Sequence, residues 1–232
     1  MSRIILDNAG HFFDILNLMK HIGEGYYYRV YEFDNGRVFK KLQPHWFSFR
    51  KIYSLARKRS GTSVIKSLSI AYKSTIEERK NLSAMKNRLS GMPLSLFANP
   101  SFVKNSLDYT QDKVVIMEDF FLNNNLEQNK KAIDGYIEFQ KKLWSYGIYD
   151  TTDKLQTNYG INNRGDVVCI DFGEFVFTKE KALERIKKQK WLSRQSYKNW
   201  QDLGLKKYYT ECMAKTMTEE NLSKHWSLNI LQ

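Results

Sequence analysis

Three oxygen-bearing side chains in the second half of the chain are of the types that phosphoryl transfer needs. Asp153 and Asn158 are five residues apart, and Asp171 comes thirteen residues after Asn158. This chemistry requires a carboxylate that orients the nucleophile, together with hard oxygen ligands for Mg²⁺. If the three residues converge in one cleft, they supply both requirements.

A glycine turn and a lysine near the start of the chain could bind phosphate groups. Gly23 and Gly25 have no side chains, so backbone amides could approach an anion closely there. Alternation along the strand that follows places Val38 and Lys40 on one face. Taken alone, two glycines beside a hairpin also fit an ordinary turn.

A hairpin and a helix must position this lysine. Residues 28 to 33 and 37 to 42 are β-rich runs on either side of Asp34-Asn35-Gly36, whose Asn-Gly step suits a tight turn. From Thr75 to about Leu89 the chain predicts a helix. The face that carries this periodicity consists of Glu78, Leu82, Met85 and Leu89, so one of its members is a carboxylate.

Two short strands and further helices must position the three polar residues. Val114 to Met117 is a β-branched run, and residues 129 to 146 then carry apolar side chains at helical spacing. Residues 166 to 172 predict a second apolar strand after the turn Asn162-Asn163-Arg164-Gly165. Residues 179 to 200 are a basic stretch that predicts helix.

This order of elements predicts an α+β protein with two lobes. Strands and one helix come first, and helices around a small hairpin follow. We place a small β-rich N-lobe at residues 1–120 and a reduced, mainly helical C-lobe at residues 121–232.

The order and spacing of these motifs resemble the protein kinase-like superfamily over residues 20 to 175. The matching segments are the glycine-rich loop Gly23-x-Gly25-x-x-Tyr28-x-Val30, the lysine strand Val38-Phe39-Lys40, the helix carboxylate Glu78, the hinge strand Val115-Ile116-Met117-Glu118, the catalytic loop Asp153 to Asn158, and the metal motif Asp171-Phe172-Gly173. Each short motif alone is unspecific, and the resemblance lies in their order.

The resemblance implies a kinase-like fold and a binding site for ATP. Lys40 would bind the α and β phosphates, held by Glu78, with Glu77 as the alternative carboxylate, and Gly23 and Gly25 would cover them. The further residues implied to bind the nucleotide are Val30, Val38, Met117 as gatekeeper, Glu118 and Phe120.

The resemblance also implies roles for the three polar residues. Asn158 and Asp171 would hold Mg²⁺ on the phosphates. Asp153 would orient the acceptor hydroxyl and accept its proton.

The chain departs from the family pattern in three places. Tyr28 stands where the third loop glycine is usual, and Thr151-Thr152 replaces the His-Arg pair before the catalytic aspartate. After Gly173 the chain passes directly into a basic helix, with no long activation segment and no Ala-Pro-Glu motif. This plan is similar to compact atypical kinases, such as the YrbL type, the lipopolysaccharide core sugar kinases and the small kinase of the KEOPS complex.

Composition restricts the class of protein and its surroundings. Of 232 residues, 42% are hydrophobic, so the chain can bury a sizeable core. Two cysteines without ligand spacing and no apparent signal peptide favour a reducing, cytoplasmic location. No apolar run reaches the ~20 residues that a membrane span needs.

The net charge of +12 is unevenly spread. From Asn35 to Ile76 there are ten Lys or Arg residues and no acid. This basic block, residues 37–73, fits an anionic membrane surface, an acidic protein or a phosphorylated sugar, and equally a solvated face. No aromatic-glycine RNA motif or recognition-helix pattern supports nucleic acid as the partner.

Two alternatives remain open at this stage. The first is a pseudokinase, a nucleotide-binding or scaffolding module without turnover, which the altered catalytic loop keeps in view. The second concerns the acceptor, a hydroxyl of a protein or of a sugar or lipid-linked glycan. Residues Arg57 to Ser63 resemble a site for self-phosphorylation and also fit a mobile basic loop.

Overall fold

The hairpin that the Asn-Gly step predicts is present in the computed structural model, which describes residues 19–33, 35–58 and 62–227. Strand β2 (Tyr28–Glu32) pairs antiparallel with β3 (Arg37–Leu42). Between them Gly36 has a φ of 75°, a conformation that glycine adopts without steric cost. Asp34 of the predicted turn lies outside the described residues, as do Arg59, Ser60 and Gly61 of the basic loop.

Within the described residues, this hairpin belongs to a five-stranded sheet in which all neighbours are antiparallel. The strand order is β1-β2-β3-β5-β4, with β1 at Lys20–Glu24, β4 at Ser101–Phe102 and β5 at Tyr109–Asp112. Val38, Phe39 and Lys40 are all buried, so β3 is covered on both faces.

Helices α1 (His45–Lys58) and α2 (Val64–Arg88) follow the hairpin along the chain. The first was not predicted. The predicted helix from Thr75 is confirmed, but its start is wrong, because α2 begins at Val64, where the Ser63 hydroxyl accepts a hydrogen bond from the backbone N–H of Lys66 at 3.2 Å.

The chain divides into two compact units. As far as the structure describes them, they are Met1–Lys80 with Asn99–Lys113, and Asn81–Ala98 with Val114–Gln232. The first unit carries the five-stranded sheet and the second is mainly helical, so the predicted α+β class is confirmed. The predicted N-lobe, residues 1–120, also included residues 81–98 and 114–120, which the structure places in the second unit.

The second unit contains the remaining elements of the described chain. Its helices are α3 (Met117–Asn123), α4 (Leu126–Ser145), α5 (Leu155–Asn158), α6 (Lys179–Lys187), α7 (Gln195–Lys198), α8 (Leu203–Thr216) and α9 (Glu219–His225). Its strands are β6 (Val115–Ile116), β7 (Tyr149–Asp150), β8 (Tyr159–Ile161), β9 (Val167–Cys169) and β10 (Phe175–Val176). They form the antiparallel sheets β6-β8-β9 and β7-β10.

Helix α4 is the central helix predicted at residues 129 to 146. Its start is fixed by a capping box in which Asn125 and Gln128 exchange side-chain to backbone hydrogen bonds. It buries Tyr136 and Trp144, and the Tyr136 ring lies 4.8 Å from the ring of Tyr159 on β8. The helix therefore packs on the hairpin that lies between the predicted metal ligands Asn158 and Asp171.

Two predicted strands are shorter than expected. The strand predicted at residues 166 to 172 is β9 alone, because the N–H groups of Ile170 and Asp171 turn to the carbonyl of Asn158. The strand predicted at Val114 to Met117 is β6 alone, and Met117 opens α3. The acids Glu118 and Asp119 in the first turn favour a helix start at this point.

The basic stretch predicted as one helix at residues 179 to 200 is interrupted. It contains α6, a 3₁₀ turn at Lys190–Ser193 and the short α7. Gln189, between the first two, has a φ of 43°, so regular helix cannot continue through it. Among the described residues, no helix combines the length and apolar character that crossing a membrane requires.

Candidate functional site

The glycine turn of the first unit leaves open space where side chains would stand. Gly23 lies in β1, and no atom of the described protein lies within 4 Å of the position that a Cβ would take there. Gly25 donates its N–H to the carbonyl of Tyr28 at 2.8 Å, and Gln43 donates to the Gly25 carbonyl at 2.9 Å. Packing does not require glycine at Gly23, and a ligand has room to approach the backbone.

Tyr28, which stands where the third loop glycine is usual, packs into the core of the first unit. Its side chain is buried, and its hydroxyl donates to the carbonyl of Leu107 at 3.1 Å. The ring packs edge-on against Tyr109 at a centroid distance of 5.4 Å. Tyr28 is therefore a core residue of the first unit.

Three predicted nucleotide-binding residues share one face of the five-stranded sheet. Lys40 is the register partner of Val30 on β2, and directly paired residues of an antiparallel ladder point to the same side. Val38 lies two residues before Lys40 and so points to that side as well. The Lys40 ammonium stands 5.7 Å from the centroid of the Tyr109 ring.

Lys40 and Glu78 are both buried, at 7% and 4% exposure. Buried charges are costly unless they are paired. The burial of an ammonium and a carboxylate in the same unit is therefore consistent with the predicted pairing of Lys40 with Glu78. Glu77, the alternative carboxylate, is exposed. The structure favours Glu78 over Glu77 for this role.

The predicted hinge lies in the second unit, where Val115 and Ile116 form strand β6 but the residues after them are helical. Met117 is fully buried, Glu118 is exposed and Phe120 is half-buried, all in the first turns of α3. Strand β6, just before them, pairs with β8. Adenine binding by these residues stays a prediction.

Gly160 fixes the approach of β6 to β8 and was not noticed in the sequence. A Cβ at this position would lie 2.5 Å from Val114 Cγ2 and 2.6 Å from the Val115 carbonyl oxygen. Only glycine permits this contact without a shift of the backbone. The available signal was a glycine between the two bulky residues Tyr159 and Ile161.

Asn158 and Asp171 are brought together by the β8–β9 hairpin. The carbonyl of Asn158 accepts hydrogen bonds from the N–H groups of Ile170 at 2.8 Å and Asp171 at 3.4 Å. Phe172 is buried with its ring 5.6 Å from that of Phe97, whereas Asp171 is exposed. The core thus anchors the Asp-Phe-Gly turn and leaves its carboxylate accessible.

Asp150, which the sequence analysis missed, organises the catalytic loop. It is almost fully buried and accepts hydrogen bonds from the Thr152 hydroxyl at 2.6 Å, the Thr152 N–H at 2.7 Å and the Tyr159 hydroxyl at 2.7 Å. Burial raises the pKa of Asp150, while these donors oppose the rise. The sequence signal was an acid three residues before Asp153.

This network determines how the Asn158 amide is oriented. The Thr152 hydroxyl gives its only proton to Asp150, so it can only accept from Asn158, and the Asn158 Nδ2 lies 3.2 Å away. The Asn158 Oδ1 accepts from the Thr157 hydroxyl at 3.1 Å. The amide oxygen therefore faces away from Thr152 and has lone-pair capacity for a further ligand.

Asp153 is buried, with 5% exposure, and its backbone has a φ of 48°. Its Oδ1 accepts from the Tyr149 hydroxyl at 3.5 Å, and its Oδ2 has no hydrogen-bond partner among the described residues. It lines a cavity of about 10 Å³, room for about one water molecule. The other lining residues are Leu155, Gln156, Tyr197, Trp200 and Tyr209.

Burial raises the pKa of Asp153 to about 8, and the nearby Asp150 adds to the rise. The positive charges of Arg194 and Arg185 and the hydrogen bond from Tyr149 act in the opposite direction. At neutral pH the folded protein therefore holds this carboxyl mainly in its protonated form.

Arg194 holds the backbone at the position where the family pattern has a histidine. Its guanidinium donates to the carbonyl of Thr151, while the Thr151 hydroxyl donates to the carbonyl of Glu174 at 2.6 Å. The pKa of Glu174 is raised by burial, which the ion pair with Lys154 at 3.8 Å opposes. No local pattern indicates that Arg194, more than forty residues further along the chain, reaches this loop.

The oxygen donors of the second unit suit a magnesium ion that is shared with phosphate. Among the described residues, no group of three or more His, Cys, Asp or Glu side chains could enclose a metal ion. Protein Mg²⁺ sites in phosphotransfer enzymes use one or two carboxylates and complete their shell with phosphate oxygens and water. The exposed Asp171 carboxylate and the Asn158 amide oxygen fit that kind of site.

Comparisons with known proteins return similarities at low identity only. No protein-family model matches the chain, and no curated protein matches it significantly. Among solved structures, it is similar to Rv3197 of Mycobacterium tuberculosis in complex with erythromycin, with 17% identity and a TM-score of 0.45, over 84% of this chain and 53% of Rv3197.

The chain is also similar to WbdD. One WbdD structure has 14% identity and a TM-score of 0.41, over 84% of this chain and 45% of that one. Another, described as the bifunctional kinase-methyltransferase WbdD, has 15% identity and a TM-score of 0.39. The match covers 87% of this chain and 43% of that one. The chain thus spans about half the length of these proteins. At these scores the similarity assigns no activity.

Proposed function

We propose that the protein is an ATP- and Mg²⁺-dependent phosphotransferase, an atypical kinase that transfers the γ-phosphate to a hydroxyl group. The observation that carries the proposal is the bond from the Asp171 N–H to the Asn158 carbonyl at 3.4 Å. It joins the end of the predicted catalytic loop to the start of the predicted metal motif. An amide oxygen and a carboxylate at this junction are the ligand types that Mg²⁺ prefers.

The first unit supplies the groups proposed for the phosphates. Lys40, on the same sheet face as Val30 and Val38, would bind the α and β phosphates, and Glu78 would hold its ammonium in place. Gly23 and Gly25 would contact the phosphates through backbone N–H groups. Magnesium, when bound, would neutralise charge on the phosphate oxygens.

Asp153 is proposed to orient the acceptor hydroxyl and accept its proton. The acceptor belongs to a protein or to a sugar or lipid-linked glycan. With its pKa raised to about 8, Asp153 is a stronger base once ionised than an exposed aspartate. It must first lose its own proton and reach the acceptor from its buried position.

The direct test compares two aspartates of the β8–β9 hairpin. Asp171→Asn removes a proposed metal ligand, whereas Asp166→Asn changes an exposed carboxylate at the hairpin turn. With Mg²⁺ and γ-labelled ATP, we expect the parent protein and Asp166→Asn to release ADP or label themselves. We expect at least a hundredfold loss in Asp171→Asn, the scale seen when a transition-state electrostatic group is removed. Equal rates in both variants would contradict the proposed site.

The burial of Asp153 favours a second candidate, a nucleotide-binding module without turnover. In the described conformation the carboxyl, with its pKa raised to about 8, is mainly protonated at neutral pH, and Asp153 lines a small cavity together with Tyr197, Trp200 and Tyr209. This candidate predicts that ATP raises the melting temperature of the parent protein while no ADP is released. Turnover that is lost in Asp171→Asn excludes it.

A further inference from the structure

The carbonyl of Gly25, in the glycine turn of the first unit, accepts hydrogen bonds from two side chains that lie outside the turn. Gln43, which follows β3, donates to this oxygen through its Nε2 at 2.9 Å, and the Lys51 ammonium of α1 donates to it at 3.1 Å. A carbonyl oxygen has two lone pairs, so its hydrogen-bonding capacity is filled. The direction of the Gly25 carbonyl is therefore set by residues outside the turn.

Lys51 is itself held in place by its neighbours. Its ammonium donates to Glu24 Oε1 at 2.5 Å and stands 4.7 Å from the centroid of the Phe47 ring. Glu24 Oε2 lies 3.3 Å from Arg29 Nε, so both oxygens of this carboxylate are paired. The Lys51 and Glu24 side chains are 31% and 29% exposed, so water surrounds the pair only in part. Ion pairs that belong to a network contribute more than isolated exposed pairs.

Side-chain packing does not hold the glycine turn. The antiparallel pairing of β1 with β2 ends at Glu24 and Arg29. Apart from chain neighbours, no atom of the described protein lies within 4 Å of a Cβ position at Gly23, and at Gly25 the nearest is the Tyr28 carbonyl oxygen at 3.8 Å. Glycine also populates more backbone conformations than other residues. The shape of the turn therefore depends on hydrogen bonds such as those to the Gly25 carbonyl.

We propose that Lys51 is a positioning residue of the nucleotide site: together with Glu24, it keeps the glycine turn in the shape that receives the phosphates of ATP. This inference rests on the proposed function. A turn that is already ordered loses less conformational freedom when a ligand binds, so the affinity is higher. Removing Lys51 should therefore weaken ATP binding and leave the transfer step from bound ATP nearly unchanged.

A change at Glu24 separates this role from a direct contact between Lys51 and phosphate. If Lys51 acted on ATP only through its positive charge, removing the negative charge of Glu24 would strengthen the binding of the anionic nucleotide. If Lys51 acts by holding the turn, Glu24→Ala removes the carboxylate that orients its ammonium, and binding should weaken. The two roles thus predict opposite signs for one variant.

Titration of the full-length protein with ATP in the presence of Mg²⁺ measures the dissociation constant of each variant. We expect Lys51→Met and Glu24→Ala each to raise it about tenfold, and the double variant to raise it no further, because both changes break the same contact. Arg50→Met is the matched control, since Arg50 is the exposed neighbour of Lys51 on α1 and forms no ion pair within the described residues. It removes the same charge and should leave the constant unchanged.

Steady-state kinetics separate positioning from chemistry. Lys51→Met should raise the KM for ATP about tenfold, while kcat should change by less than about twofold. Lys51→Arg keeps a cation that can bind the Glu24 carboxylate, so it should restore most of the lost affinity. A loss in kcat without a change in KM would overturn the inference, because it would assign Lys51 to the transfer step.

Amide hydrogen exchange of the nucleotide-free protein tests the same contact without any activity. The Gly25 N–H, which donates to the Tyr28 carbonyl at 2.8 Å, should exchange about tenfold faster in Lys51→Met than in the parent protein or in Arg50→Met. The amides of α4, in the second unit, should exchange at the parent rate in every variant, which shows that the variants are folded.

Two further outcomes overturn the inference. The first is exchange of the Gly25 N–H at the parent rate in Lys51→Met. The second is ATP binding that is unchanged or tighter in Lys51→Met or Glu24→Ala. A parent protein that binds no ATP contradicts the proposed function, and with it the role of Lys51 in nucleotide binding, whereas the exchange rates still show whether Lys51 holds the turn.

Discussion

Burial sets the protonation of Asp153. Asp153 is buried and lines a small cavity with three aromatic residues, and its pKa is raised to about 8, so it cannot accept a proton at neutral pH without first losing one. Its φ of 48° belongs to a region that non-glycine residues adopt when the surrounding structure imposes it. Strain and a raised pKa together are typical of a functional aspartate, and both are properties of the folded loop.

Replacing Asp153 with asparagine tests this protonation through stability. Between the ordinary pKa of 3.8 and the folded value of about 8, the folded chain keeps a proton that the unfolded chain has lost. The stability associated with this group is therefore fully present below 3.8 and is lost as the pH rises to about 8. The slope reaches about 1.4 kcal/mol per pH unit for one group. Asparagine does not ionise, so the variant should lack this loss.

Urea unfolding at about pH 5 and about pH 8 measures the difference. We expect Asp153→Asn to gain stability over the parent protein on going to the higher pH. Asp166→Asn, at the exposed hairpin turn, should follow the parent at both values. An identical pH response in Asp153→Asn and the parent would show that Asp153 is ionised in the folded protein.

Residue types and spacing predicted the polar set but not its surroundings. Asp153, Asn158 and Asp171 were found because their separations along the chain follow a known order. Asp150 and Arg194 were missed because their roles depend on which distant atoms they meet, the Tyr159 hydroxyl and the Thr151 carbonyl. The burial of Asp153 was not predicted, because it depends on residues of α7 and α8 that line the same cavity and are distant in sequence.

At the scale of elements, Gly160 decides how closely β6 and β8 can pair. The two nearest atoms to a Cβ there are a valine methyl group of Val114 and the backbone oxygen of Val115, and only the first can move cheaply. Strand β8 also begins directly after Asn158, a residue of the candidate site. A change at Gly160 should therefore disturb both the predicted hinge and the candidate site.

Gly160→Ala is expected to destabilise the protein by about 1–3 kcal/mol, the usual cost of overpacking. Gly204→Ala is the matched control, because the nearest atom to a Cβ at this position of α8 is Asp202 Oδ1 at an ordinary 3.4 Å. The control should be neutral or slightly stabilising, since alanine favours helix. Urea unfolding of both variants decides. A Gly160→Ala protein as stable as the control would mean that β6 and β8 separate freely.

Element types were predicted better than their limits. The hairpin β2–β3 and helix α4 followed from turn chemistry and periodicity. The first half of α2 did not, because the residues that it buries are Ser67, Ala71 and Thr75, and the period of its apolar residues marks the exposed side. When the apolar side of a helix is assumed to be the buried side, a helix whose exposed side is apolar is not recognised from its sequence.

At the scale of the whole molecule, the two compact units divide the candidate residues between them. Lys40 and Glu78 lie in the first unit, whereas Asp153, Asn158 and Asp171 lie in the second. A single cut at residue 120 could not describe this division, because residues 81–98 belong to the second unit and 99–113 to the first. The fold class was predictable, but the discontinuous units were not.

The proposed phosphoryl transfer requires both Lys40 and Asp171. The most direct measurement is Mg²⁺-dependent ADP release by Lys40→Met beside Lys41→Met, its neighbour on the opposite side of β3, and by Asp171→Asn. We predict that the parent protein and Lys41→Met release ADP at similar rates, while Lys40→Met and Asp171→Asn both fall at least a hundredfold. ADP release that survives in either of the last two variants would contradict the claim.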